Sequence, residues 1–199
     1  MNEAHASRVI GRPPGPHDDT LAKLLPSALS VFLDEGGAAL TPTRLHQESG
    51  VSRATIYRNW PEPDDLIEIM LQRATAPPTD DVTPTGELRT DLHQAMDLLR
   101  YRFEHRPARA FFAACVEYGR RSTRVADAAE SFVAGILEPF RSALDAAVRS
   151  GAIDGDVKQL LYELTGPAIL RHVILGQAVT AAEGAATVDR FVDHVTRHD

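Results

Sequence analysis

Between Leu40 and Trp60 the chain reads LTPTRLHQESGVSRATIYRNW, a stretch that leaves the backbone little choice. The Thr41 hydroxyl can cap a helix that opens on Pro42, the one helical position where a missing N–H costs nothing. Leu45 is the inward residue of that helix, while Arg44, Gln47 and Glu48 can face water. Gly50 supplies the positive φ that a tight exit requires, so the helix should stop at Ser49. Val51 then plugs the corner, Ser52 caps a second helix, and Ile56 and Trp60 give it one apolar stripe. Its other face carries Arg53, Thr55, Tyr57, Arg58 and Asn59. Such a set of hydrogen-bonding groups suits base edges and phosphates in a major groove, although a merely solvated face has the same composition.

Around this hairpin every apolar pattern is helical. Leu21, Leu24, Leu25, Ala28, Leu29, Phe32 and Leu33 predict a helix from about residue 18 to 35, with Pro26 inside or kinking it and Gly36-Gly37 ending it. A fourth helix is expected over about 64–75, followed by a polar, proline-rich boundary, APPTDDVTPTG. Leu88, Leu92, Met96, Leu99 and Phe103 share a further helix, and two more are expected over 111–118 and roughly 124–150. No segment reads as a strand, so the fold class is all-α. In the last third, GAIDGDVKQLLYELTGPAILRHVILGQAVT reads as one long helix with apolar residues on more than one side, which needs two partners. A final helix follows around Val188, Phe191, Val192 and Val195. Residues 1–17, with Gly11, Arg12, Pro13, Pro14 and Pro16 and no apolar period, read as a flexible arm.

The segment Gly50, Val51, Ser52, Thr55, Ile56, Tyr57 and Trp60 resembles the DNA-binding helix-turn-helix of the tetracycline-repressor (TetR) family of bacterial regulators. The likeness extends upstream through LPSALSVFLDEGGAALT and downstream through DDLIEIMLQRA. It implies a helix-turn-helix domain over 18–63, a connecting helix over 64–76 and a larger helical ligand-binding and dimerisation domain over 77–199. It further implies a homodimer that binds a palindromic DNA operator and is released by a small effector.

DNA contacts are expected from Thr41, Thr43, Arg44, Ser52, Arg53, Ala54, Thr55, Tyr57, Arg58 and Asn59, with Arg53 and Thr55 at base edges. Arg8 and Arg12 of the arm could enter a minor groove. An apolar or aromatic effector would be lined by Met96, Leu99, Phe103, Phe111, Phe112, Tyr118, Phe132 and Phe140. The dimer would pair through Leu161, Leu164, Ile169, Val173, Phe191 and Val195. Two departures from the family pattern stand out. Where the family usually carries a phosphate-holding lysine at the start of the fourth helix, this chain has Pro63 within PEPDD. His46 and Asn59 stand where Ala and His are common.

The net charge of −7 argues against loose, nonspecific binding to nucleic acid. Residues 1–75 hold seven Lys/Arg against ten Asp/Glu, yet between 42 and 59 three arginines face only Glu48. Positive charge is thus local, which favours one small docking face. No run is long and apolar enough for a membrane span and the N-terminus lacks a signal-peptide core, so a cytoplasmic protein is expected. The single cysteine, Cys115, sits among Phe111, Phe112 and Val116 as a small core residue. His93, His105, His172, His194 and His198 form no metal-ligand spacing beyond the terminal His194/His198 pair. No nucleophile elbow, phosphate loop or HExxH motif nominates a catalyst or cofactor. The remaining alternative to a DNA-binding regulator is a helical small-molecule binder that has lost its operator.

Overall fold

The computed structural model describes residues 16–74, 84–104 and 106–196. The N-terminal arm with Arg8 and Arg12, most of the 76–86 boundary, His105 and His198 lie outside them. Among the described residues nine α-helices and no strands are found. The first four are α1 (Pro16–Glu35), α2 (Pro42–Ser49), α3 (Arg53–Asn59) and α4 (Pro63–Ala74). Then come α5 (Leu88–Glu104), α6 (Arg106–Tyr118), α7 (Thr123–Ser150), α8 (Val157–Ile169) and α9 (Ala181–Val195).

α1 buries Leu21, Leu24, Ala28, Val31 and Phe32 along one stripe. Pro26 lies within the helix on its exposed side. There the carbonyl that loses its N–H partner can turn to water, which is why the helix continues through the proline. Gly36, at φ 85°, takes the chain out of α1 and into a short 3₁₀ turn, Gly37–Ala39, that delivers α2. Met70, Leu66, Ile67 and Leu71 of α4 are buried between α1 on one side and α7 on the other.

α7, 28 residues long, is the beam of the larger half and packs against α4, α5, α6 and α8. Its buried stripe includes Val125, Phe132, Ile136, Phe140 and Leu144. An aromatic cluster forms where α5, α6 and α7 meet. Phe103 and Phe112 lie 5.0 Å apart, and Phe132 presents its edge to Phe111 at 5.7 Å and to Phe112 at 5.4 Å. Phe111 also stacks on Phe32 of α1 at 5.5 Å, so one apolar core runs from the first helix into the larger half. Offset and edge-on rings are the arrangements their quadrupoles favour. α9 is tied to α5 by Arg89, which reaches Asp189 at 2.6 Å and Asp193 at 2.5 Å, and by His93, 3.0 Å from Asp189.

The last third differs from its expected course. α8 ends at Ile169, a single π-helical turn follows over Leu170–Ile174, and six residues then lead to α9. Pro167, near the end of α8, withholds an N–H, and the wider turn appears as Leu175 N–H bonding back to Leu170. Gly176, at φ 63°, completes the break. His172 of this turn is buried, stacks on Phe103 at 4.7 Å, and accepts the Val179 N–H through Nε2 at 3.2 Å. α9 then starts on a full capping box between Thr180 and Glu183.

The outward face of α8 also shifts. Leu161, Leu164 and Phe191 turn into the protomer's own core, while Ile169, Val173 and Val195 are half-buried. The apolar side chains left in solvent are Tyr162, Leu170, Ile174 and Leu175, each more than half exposed. A helix apolar on several sides can seat either side inward, and packing on α7 selects the Leu160/Leu161/Leu164 side.

Candidate nucleic-acid interface

The α2–α3 hairpin is stitched almost entirely by hydrogen bonds between near neighbours. Thr41 is the N-cap of α2, its Oγ1 accepting the Arg44 N–H at 3.3 Å. Gly50, at φ 70°, closes the helix and donates to the His46 carbonyl. The Ser49 hydroxyl donates to the Leu45 carbonyl at 2.7 Å and accepts the Val51 N–H at 3.1 Å. His46 adds a contact that the residue type alone does not announce. Its Nδ1 lies 2.8 Å from the Val51 carbonyl, and since a carbonyl only accepts, the proton sits on Nδ1. These bonds fasten the turn from both sides, and Leu45, Val51, Ile56 and Trp60 fill the angle beneath it.

α3 begins at the Ser52 cap, whose Oγ accepts the Thr55 N–H at 3.2 Å and lies 2.8 Å from the Thr55 hydroxyl. Asn59 reaches back through Nδ2 to the Thr55 carbonyl at 3.0 Å. Arg53, Ala54, Tyr57 and Arg58 point away from the core, and Tyr57 is 68% exposed. Among the described residues no carboxylate pairs with Arg53 or Arg58. α3 thus offers two cations and a phenol from a capped frame, with Thr43 exposed in the first turn of α2. Arg44 differs from them, its guanidinium being held by Glu35 and Glu48.

The start of α4 carries its own anions. Asp64 and Asp65 occupy its first turn, and Asp65 accepts the Glu62 N–H at 3.1 Å. Arg124 of α7 crosses to this end, 2.9 Å from Asp65 and 3.2 Å from Glu68. The positive helix end that would suit a phosphate is therefore answered from within the chain.

Tyr118, one of the expected effector-lining residues, lies beside this end of α4. Its phenol end lies against Gly37, so close that a Cβ there would meet the phenol oxygen at 2.5 Å, and Arg121 covers the ring at 4.7 Å. The other expected lining residues, Met96, Leu99, Phe103, Phe111, Phe112 and Phe140, are packed into the core, each at most 5% exposed. Phe132, 2% exposed, also borders a surface groove of about 190 Å³, shared with Ala74, Tyr101, Arg102, Pro107, Ala108 and Ile136. Cys115 is half-buried and burial pushes its thiol up to about 11, a group poorly disposed to react. Among the described residues no group of three His, Cys, Asp or Glu is placed to hold a metal ion, and no helix is long and apolar enough to cross a membrane.

A capped helix-turn-helix set on a larger helical body is the architecture of a DNA-binding transcription regulator. Residues 82–193 match the family model described as the tetracyclin repressor-like C-terminal domain, and the chain belongs to the TetR family of transcription regulators. A DNA-binding transcriptional repressor TetR of Mycobacteroides abscessus is 29% identical over 176 residues, covering 87% of this chain and 90% of its own. The crystal structure of the TetR family transcription regulator SCO0332 superposes with a TM-score of 0.59 at 26% identity, covering 89% of this chain and 98% of that one. A TetR transcriptional regulator from Agrobacterium tumefaciens shares the fold with a TM-score of 0.62 at 21% identity, over 91% of this chain and 95% of its own.

Proposed function

We propose that this DNA-binding regulator acts as a homodimeric repressor that places α3 of each copy in the major groove of a palindromic operator. The head would span residues 18–63, α4 would connect, and residues 77–199 would hold the effector and the dimer contact. The observation that carries this reading is the outward face of α3, where Arg53, Tyr57 and Arg58 stand clear of the core on a frame fixed by caps. Arg53 and Thr55 read base edges. Tyr57, Arg58, Asn59, Thr41 and Thr43 set the register on the backbone, with Ser52 and Ala54 close against it.

The second copy covers Tyr162, Leu170, Ile174 and Leu175, with Ile169, Val173 and Val195 at the margin. Large apolar side chains in solvent on α8 and the turn that follows it support that placement. An apolar effector enters beside Phe132 and parts the Phe103/Phe111/Phe112 cluster, and the joint of Tyr118, Gly37 and Arg124 passes the change to the head. Such an effector releases DNA by favouring a dimer in which the two α3 helices no longer match the operator spacing.

Selection of bound fragments from a random duplex pool, followed by anisotropy titration, tests the reading. Enrichment of an inverted repeat supports it, and a pool that stays random refutes it. The acidic start of α4 favours one other reading, a sensor that keeps the head and binds no operator. Such a protein would gain thermal stability from an apolar ligand and show no salt-dependent DNA complex.

A further inference from the structure

Arg44 lies on the flank of α2 between the Thr41 cap and the exposed Gln47 and Glu48, and by residue type it belongs with Arg53 and Arg58 as a cation for DNA. Its geometry separates it from them. Nε donates to Glu35 Oε1 at 2.8 Å and Nη2 lies 2.7 Å from the same oxygen, while Nη1 donates to Glu48 Oε2 at 2.7 Å. Glu35 takes two guanidinium nitrogens on one oxygen and Glu48 takes the third, and both hold the group charged above its ordinary range. The two acids come from different elements. Glu35 is the last residue of α1 and Glu48 stands in the last turn of α2.

α2 has eight residues and one buried side chain, Leu45, and it is reached from α1 through the Gly36–Ala39 turn. A single apolar anchor fixes where a short helix sits but leaves its roll and tilt to contacts at its rim. The Glu35–Arg44–Glu48 bridge is such a contact, because it joins the end of α1 to the flank of α2 across the turn. α3 packs on α2 and leaves it through a turn pinned by His46, Ser49 and the buried Val51, so whatever sets α2 also bears on α3. The two carboxylates occupy three of the five guanidinium N–H groups and offset its charge, so a phosphate approaching Arg44 would also face Glu35 and Glu48.

From this we infer that Arg44 contacts no phosphate and is a positioning residue, the fastener that holds the reading helix at its angle on the head. The inference rests on the DNA-binding reading above and narrows it, since it moves Arg44 from the DNA face to the frame behind it.

Salt dependence distinguishes a frame contact from a phosphate contact. Each neutralised phosphate adds about 0.9 to the slope of log K against log salt on duplex DNA. The full-length protein, Arg44→Met, Glu35→Gln and, as the reference, Arg58→Met are titrated against a duplex recovered by selection and against a scrambled duplex of the same length. Arg44→Met is expected to keep the wild-type slope on both duplexes and to lower the preference for the selected one by about three- to tenfold, as loss of coupling through a shared contact does. Glu35→Gln is expected to act in the same direction. A thermal-unfolding cycle of Glu35→Gln, Arg44→Met and the double variant should show the two substitutions to be non-additive.

A slope that falls by about one unit in Arg44→Met, as it should in Arg58→Met, overturns the inference. So does tighter binding with a steeper slope in Glu35→Gln, which would mean that the acid was masking a DNA contact. Selection that enriches no duplex for the wild-type protein sinks the DNA-binding reading itself, and additive unfolding then sinks the fastener as well.

Discussion

The head and the body of this chain are built by opposite means. Within the hairpin of α2 and α3 the hydrogen bonds join residues no more than five apart, such as His46 to Val51 and Ser52 to Thr55, and the bond that ties it to α1, Arg44 to Glu35, spans only nine. In the body they join residues up to about a hundred apart, as Arg89 does with Asp189 and Asp193. The hairpin's turns are capped at each end over the buried Leu45, Val51, Ile56 and Trp60. The body depends on which face each helix turns inward. A short-range frame can present a fixed polar face to a rigid partner such as DNA, whereas a long-range core can be parted by a ligand and repacked.

Five substitutions or conditions break or sharpen this contrast, from the largest effect to the smallest. Phe140→Ala removes a fully buried ring from the body and should cost about 3–5 kcal/mol in chemical unfolding, with loss of effector response before loss of the head's helices. Gly37→Ala attacks the seam, since the new methyl meets the Tyr118 ring at 2.5–2.8 Å. Overpacking there should cost about 1–3 kcal/mol and change DNA affinity although no proposed DNA contact is touched. Replacing Tyr118 by Phe in that background should recover part of the loss by removing the phenol oxygen.

Within the head, Arg53→Ala should weaken binding to a selected duplex by about 1–3 kcal/mol while leaving thermal unfolding unchanged. Ser52→Ala tests the frame under that face: loss of the cap should lower stability by about 0.5–2 kcal/mol and reduce DNA affinity through α3 order alone. The smallest effect belongs to pH and to the body. Burial first, and then the guanidiniums of Arg100, Arg109 and Arg171, hold His172 below its ordinary 6.5. The unfolded chain therefore takes up the proton first. Stability from this neutral, Val179-bonded imidazole is complete above about 6.5 and is lost as pH falls below it. Melting temperatures between about pH 7.5 and pH 5 should show a drop in the wild-type protein that His172→Asn lacks.

The same contrast explains what could be read from the residues in order. Thr41, Gly50 and Ser52 mark ends that the structure places where cap chemistry puts them, because a cap is decided within three or four residues. Arg44 could be weighed only against Glu48, its neighbour on the same helix. Glu35 lies nine positions back on α1, and no local pattern announces that the Gly36–Ala39 turn folds it alongside. Tyr118 shares a helix with Phe111 and Phe112 but faces Gly37, since the end of α6 overhangs the head. For α8 the periodicity showed two apolar sides without saying which belongs to its own protomer. Packing on α7 decides that, and it sends Leu161 and Leu164 inward and Tyr162 out. The break after Ile169 follows from Pro167 and Gly176, which a run of Ile, Leu and Val around them obscured.

The central claim is that two copies of α3, each on a rigid head, lie against one duplex. Hydroxyl-radical footprinting of the full-length protein on a selected duplex tests it most directly. Two protected segments related by inversion, their centres about 10–10.5 base pairs or a multiple of that apart, are the predicted result, and both should fade together in Arg53→Ala. A single protected segment, or a pattern unchanged by Arg53→Ala, would contradict it.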